Sequence, residues 1–150
     1  MKNLFLKKYL CVALLAMLVG SSCAFAQTFP MKINIHIEDN EIATATLLDN
    51  PAARDFATLL PLSLQLENYA QIERIAYLPR KLSNESAPAG FQPQAGDITY
   101  YAPWGNLAIF VEGFRYSSGL LPLGKLETGS LQLLQKSGPY HIRIEQAHQD

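Results

Sequence analysis

The sequence predicts a mainly β domain, a sandwich or a barrel of seven or eight short strands with one clear helix. Two observations carry that reading. Several runs alternate apolar and polar residues with a period of two, the pattern of a strand with one buried face. Between them stand many Gly and Pro turns and one stretch of helical spacing, so strands do not alternate with helices as a βαβ layout requires.

Met31 to Glu38 alternates first, with Met31, Ile33, Ile35 and Ile37 on one face and Lys32, Asn34, His36 and Glu38 on the other. Asp39-Asn40 signals a turn. Glu41 to Leu48, with Ile42, Thr44 and Thr46, is β-prone, so the two runs form a hairpin. Asn50 then suits a helix N-cap and Pro51 the first helical position, where its missing N–H is not needed. Ala53, Phe56, Ala57 and Leu60 follow at helical spacing, and Pro61 stops the run. A helix of about ten residues is marginal alone, so its Phe56 face must dock on the domain. Arg54 and Asp55 lie off that face.

Leu62 to Glu67 alternates again. Tyr69 to Leu78, carrying Ile72, Ile75 and Leu78, reads as a loop or a short helix. Ser83 to Gly96, rich in Ser, Pro, Ala and Gly, is the longest loop. In the next segment Ile98, Tyr100 and Ala102 alternate with Thr99 and Tyr101, Pro103-Trp104-Gly105-Asn106 turns, and Leu107 to Val111 is an almost continuous apolar strand. Leu120 to Leu126 follows a Ser-Ser-Gly loop. Ser130 to Gln135 has no clear periodicity. Pro139 to Glu145 is the last strand, with Tyr140, Ile142 and Ile144 inward.

The first 26 residues read as an address. Lys2, Lys7 and Lys8 form a positive region, Leu10 to Val19 an apolar one, and Ala24-Phe25-Ala26 a cleavage site before Gln27. The apolar run is too short for a spanning helix, which needs about 20 residues. The expected working domain is therefore residues 27–150, periplasmic or secreted, with no membrane attachment after cleavage. Acylation at Cys23 ranks below this, because Gly20 stands where a lipobox has Leu. Cleavage removes Cys11 and Cys23, the two cysteines of the chain, so a hydrophobic core rather than a disulfide must hold the domain.

Removing three lysines takes the formal net charge from −1 to near −4. Such a balance gives no basis for nucleic acid as a partner. No pair among His36, His141 and His148 has a metal-ligand spacing. Gly90, Gly96 and Gly105 do not form a phosphate loop. No metal or cofactor is expected.

Four stretches carry a resemblance: Asp49-Asn-Pro-Ala-Ala-Arg-Asp-Phe (49–56), Tyr77-Leu-Pro-Arg-Lys-Leu (77–82), the long Gly96-Asp-Ile-Thr-Tyr-Tyr-Ala-Pro-Trp-Gly-Asn-Leu-Ala-Ile-Phe (96–110), and Leu123-Gly-Lys-Leu (123–126). Over about residues 32–146 the chain resembles the small bacterial cyclophilin-like domain family. The resemblance implies a closed β-barrel of about eight strands capped by a helix, and it assigns no activity. The Phe-Met-x-Gln run and the Gly-Ser-Gln-Phe-Phe stretch of true cyclophilins do not occur here, so no catalytic residue carries over.

Prolyl isomerisation would need little chemistry. The barrier of about 18–20 kcal/mol falls when an apolar pocket holds the ring and a donor reaches the imide nitrogen. Arg54, Arg80 and Arg115 are the available guanidiniums, and Tyr101, Trp104, Phe114 and Tyr116 the available aromatics. The simpler reading pairs Arg54 with Asp55 on the helix surface and lets Arg80 cap a loop. Tyr100, Phe110 and Phe56 are expected to fill the barrel. Tyr101, on the opposite pleat face, and Trp104, in a turn, suit ligand contact instead.

The leading expectation is a non-enzymatic module that binds a small ligand or extended peptide near Arg80, Tyr101 and Trp104, with Arg54 and Tyr116 as further candidates. The alternative is a prolyl isomerase with Arg80 or Arg54 as donor. An arginine open beside an apolar pocket favours the isomerase; arginines tied up in salt bridges favour the module. Ser117-Ser118 has no histidine or acid at a defined spacing, and a hydrolase or metal enzyme has little support.

Overall fold

The computed structural model describes residues 27–38 and 40–148. The export signal read at 1–26 and the turn residue Asp39 lie outside the described residues. In chain order the elements are β1 (Met31–Ile37), β2 (Glu41–Leu47), α1 (Pro51–Ala57), β3 (Leu62–Tyr69), β4 (Glu73–Tyr77), β5 (Gly90–Phe91), β6 (Asp97–Tyr101), β7 (Asn106–Phe110), β8 (Ser117–Ser118), β9 (Leu120–Leu126), α2 (Leu131–Gln135) and β10 (Tyr140–Gln146).

Eight strands close into one antiparallel barrel in the order β1, β10, β3, β4, β7, β6, β9, β2, and β5 pairs with β8 in a separate two-stranded sheet. The β1–β2 hairpin forms as the alternation predicts, with Ile37 opposite Glu41. Met31, Ile33, Ile35 and Ile37 point into the core. In β2 the inward residues are Ala43, Ala45 and Leu47, and Ile42 is exposed. The β2 and β9 backbones come close at their seam, where Gly124 stands opposite Leu47. A Cβ added at Gly124 would lie 2.5 Å from the Thr46 carbonyl oxygen.

Helix α1 covers the barrel end where β2 stops and β9 begins. Asn50 Oδ1 accepts the Ala53 N–H at 2.8 Å, while Asn50 Nδ2 donates to the Pro122 carbonyl at 3.0 Å. One side chain thus caps the helix and ties it to β9. Ala52, Ala53, Phe56 and Ala57 are buried beneath. The helix ends at Ala57, one turn before Pro61, with the Thr58 N–H bonded to the Asp55 carbonyl.

A second helix, α2, replaces the indefinite stretch at Ser130 to Gln135, so two helices cap the barrel where one was expected. It lies at the opposite end, after β9, with Leu134 fully buried. Arg74, only 3% exposed, enters the barrel here. Its guanidinium donates to the Gln135, Lys136 and Glu73 carbonyls at 3.0, 3.3 and 3.1 Å.

Tyr69 to Leu78 corrects the sequence reading: Glu73–Tyr77 is the barrel strand β4. Its polarity is inverted, with Arg74 inside and Ile75 on the outer face. Phe110 is the other correction. Tyr100 and Phe56 fill the interior, but Phe110 packs outside it with Ala108 and Leu120. The apolar run through β7 is continuous because both faces of that strand are covered.

Candidate functional site

Strands β4, β7 and β6 lie side by side, and their outer pleat faces form the floor of a cleft. Ile75, Phe110 and Leu120 supply its apolar base. Tyr69, Tyr101 and Trp104 make one wall; Phe114, Arg115, Tyr116 and the β8 serines make the other. The cleft is open to solvent, with a volume of about 520 Å³.

Trp104 sits in the β6–β7 turn, which Gly105 completes with φ +74 and an N–H bond to the Tyr101 carbonyl at 2.9 Å. A left-handed residue is needed there, and glycine adopts it without strain. The turn sends the Trp104 ring back over the barrel. It meets Tyr69 at 5.6 Å and Tyr101 at 5.5 Å between ring centroids, at 87° and 79°. These are edge-to-face contacts, which hold aromatic rings in fixed orientation. Even so packed, Trp104 remains 48% exposed.

Three polar groups enter the cleft from different sides. Glu73 stands on β4, opposite Tyr69 of β3 and Phe110 of β7. Burial pushes its carboxyl above the ordinary value, and it makes no salt bridge among the described residues. Asn106 stands at the opposite end of β7 and is 2% exposed. Its Nδ2 donates to the Leu107 carbonyl at 3.2 Å, which leaves Oδ1 without a partner, the one such buried side-chain atom among the described residues. Arg115 lies against the Phe114 ring, 5.3 Å from its centroid, and likewise forms no salt bridge among the described residues.

Of the residues singled out in the sequence, Tyr101, Trp104 and Tyr116 meet in this cleft, together with Phe114 and Arg115. Arg80 and Arg54 are placed elsewhere. Arg80 donates to both carboxylate oxygens of Asp55, and Arg54 pairs with Asp49 and covers the Phe29 ring. The expected Arg54–Asp55 pair is therefore replaced by two crossed pairs, because Asp55 turns toward the loop after β4. Glu73, Asn106 and Tyr69 were not readable as site residues. The strand that holds Glu73 has inverted polarity, and nothing in a lone Asn after a Gly turn marks it as buried.

The serines of the cleft are not set up to attack. Ser117 Oγ donates to the Arg115 carbonyl at 3.3 Å and Ser118 Oγ to the Ala89 carbonyl at 3.4 Å, and neither pairs with a histidine among the described residues. No group of three His, Cys, Asp or Glu that could hold a metal occurs among the described residues. No helix among them is long and apolar enough to cross a membrane.

Eight antiparallel strands closed on themselves, helix-capped, with an aromatic cleft on the outer wall, make a barrel of the cyclophilin type. The chain belongs to the cyclophilin-like family, whose model matches residues 35–145. Among solved structures it is similar to the hypothetical protein AF2241 from Archaeoglobus fulgidus, determined in solution. The TM-score is 0.60 at 14% identity, covering 79% of this chain and 95% of that one. This likeness is one of fold. No curated protein matches the chain.

Proposed function

We propose that the protein is an exported binding module whose ligand, a small molecule or an extended peptide, seats in the cleft walled by Tyr101, Trp104 and Tyr116. The cleft itself carries this reading. Its volume of about 520 Å³ lies in the range of small-molecule sites, and it presents half-exposed aromatic rings that the barrel does not need for its core. Arg80 and Arg54 support the reading by their engagement: each already spends its guanidinium on a carboxylate. The export part rests on the signal pattern of residues 1–26. Mass spectrometry of the protein recovered from whole cells and medium tests it: a chain starting at Gln27 is expected, an acylated Cys23 would make it an exported lipoprotein instead, and a chain that keeps residues 1–26 stands against export.

Arg115 favours a second reading. It is the one arginine lining the cleft, and it could donate to a twisting imide as Arg80 or Arg54 could not. NMR exchange spectra on short X-Pro peptides separate the two. Peptide shifts without faster cis/trans exchange support the module. Faster exchange, lost in Arg115→Ala, establishes an isomerase. No response to any peptide sends the search to small ligands.

A further inference from the structure

Two acceptors lie at the two ends of the cleft floor. Asn106 and Phe110 are four residues apart on β7, about 13 Å at the strand rise, and Glu73 stands directly across from Phe110. Asn106 Oδ1 is buried with no donor. The Glu73 carboxyl is half-buried and makes no salt bridge among the described residues. Leaving the buried amide oxygen unpaired is costly, and a half-buried carboxylate gains from a cation, so a ligand bringing N–H donors to both ends satisfies the first and neutralises the second.

The surroundings of Glu73 narrow the donor further. Tyr69 is its cross-strand neighbour, which places their Cβ atoms about 5 Å apart. The Tyr69 ring is in turn set edge-to-face on Trp104. A carboxylate beside a corner of aromatic rings is suited to an organic cation, which gains from the ring faces and from the charge together. On the opposite wall Arg115, exposed and resting on Phe114, suits carbonyl oxygens.

Resting on the binding reading above, we propose that the cleft recognises an extended peptide through a basic side chain. The Lys or Arg head seats between Glu73 and the Tyr69–Trp104 corner, a backbone N–H reaches Asn106 Oδ1, and peptide carbonyls face Arg115. A free amine shares the cation chemistry but offers nothing to Asn106 or Arg115 at the far ends.

Trp104 is the single tryptophan of the chain, so its emission reports the cleft directly. The purified protein would be titrated with acetyl-Ala-Ala-Lys-Pro-Ala-Ala-amide, with the same peptide carrying norleucine for lysine, and with butylammonium. The lysine peptide is expected to bind about tenfold tighter than the norleucine peptide. In Glu73→Gln, folded by circular dichroism, the two are expected to converge on the norleucine value. Equal affinities in the unaltered protein overturn the cation proposal and leave the binding module standing. Butylammonium binding as tightly as the lysine peptide overturns the peptide part and assigns the site to free amines. Silence from all three probes overturns both this proposal and the peptide form of the reading beneath it.

Discussion

Arg80 grips Asp55 with both terminal nitrogens, Nη1 to Oδ2 at 3.0 Å and Nη2 to Oδ1 at 2.6 Å. The same carboxylate accepts the Ser83 N–H at 2.7 Å, and Arg80 also donates to Thr58 Oγ1 at 2.8 Å. Helix α1 is thereby fastened to the loop that leaves β4. An exposed ion pair contributes little by itself, but this one has fork geometry and a backbone donor, the arrangement in which carboxylate bonds are strongest.

A pH signature follows from that grip. The hydrogen bonds from Arg80, foremost, hold the Asp55 carboxyl below its ordinary 3.8. A group depressed on folding stabilises fully above its unfolded value and loses that contribution as pH falls through the folded one. Its share of stability is therefore expected to be constant from neutrality to about pH 4 and to fall below that. In Asp55→Asn, urea unfolding should show lower stability at pH 7 and a shallower acid decline. Parallel acid declines in the two proteins would remove Asp55 from this role.

Asn50→Ala is expected to lower stability by about 1–2 kcal/mol, since it deletes a cap worth about 1 kcal/mol and the bond to the Pro122 carbonyl. Asn50→Asp keeps the acceptor for Ala53 and loses only the donor. Denaturant midpoints should rank the three proteins with Asn50→Asp between the other two.

Gly124→Ala should be more damaging than a methyl group suggests. The added Cβ would lie 2.5 Å from the Thr46 carbonyl oxygen and 3.1 Å from the Leu47 Cα, both backbone atoms of the β2–β9 seam. Overpacking of this kind costs about 1–3 kcal/mol. Hydrogen exchange should show the loss concentrated in β2 and β9; protection unchanged there would count against the close approach.

Asn106→Leu separates binding from folding. Replacing a half-satisfied buried amide with an apolar group of similar size is expected to leave stability unchanged or raise it by up to about 1 kcal/mol, while peptide titrations followed by Trp104 emission weaken. A large loss of stability would mean that the amide serves the barrel rather than a ligand.

The barrel was legible because most of its strands follow one rule: β1 and β10 bury every second residue, and the Asn50-Pro51 pair announces α1. Legibility failed where that rule is broken for a reason. In β4 the inward Arg74 is satisfied by carbonyls from α2, a helix that comes some sixty residues later in the chain, so its alternation looks wrong until the barrel is closed. In β7 the second face is covered by the cluster around Phe110 and Leu120, so alternation disappears. The cleft was half legible for the same reason. Tyr101 and Trp104 stand out as aromatics with no core position, whereas Glu73 and Asn106 acquire meaning only from strands brought together by closure.

The separation of interior from cleft also bears on how such a molecule can change. Phe56, Tyr100 and the β1 isoleucines meet inside the barrel, while Trp104 belongs to a turn and Phe114 to Tyr116 to a connecting segment. If the cleft binds as proposed above, substitutions along those excursions alter what is recognised without disturbing what is folded. A scaffold divided in this way can acquire new specificities by drift at its rim, one tolerated replacement at a time.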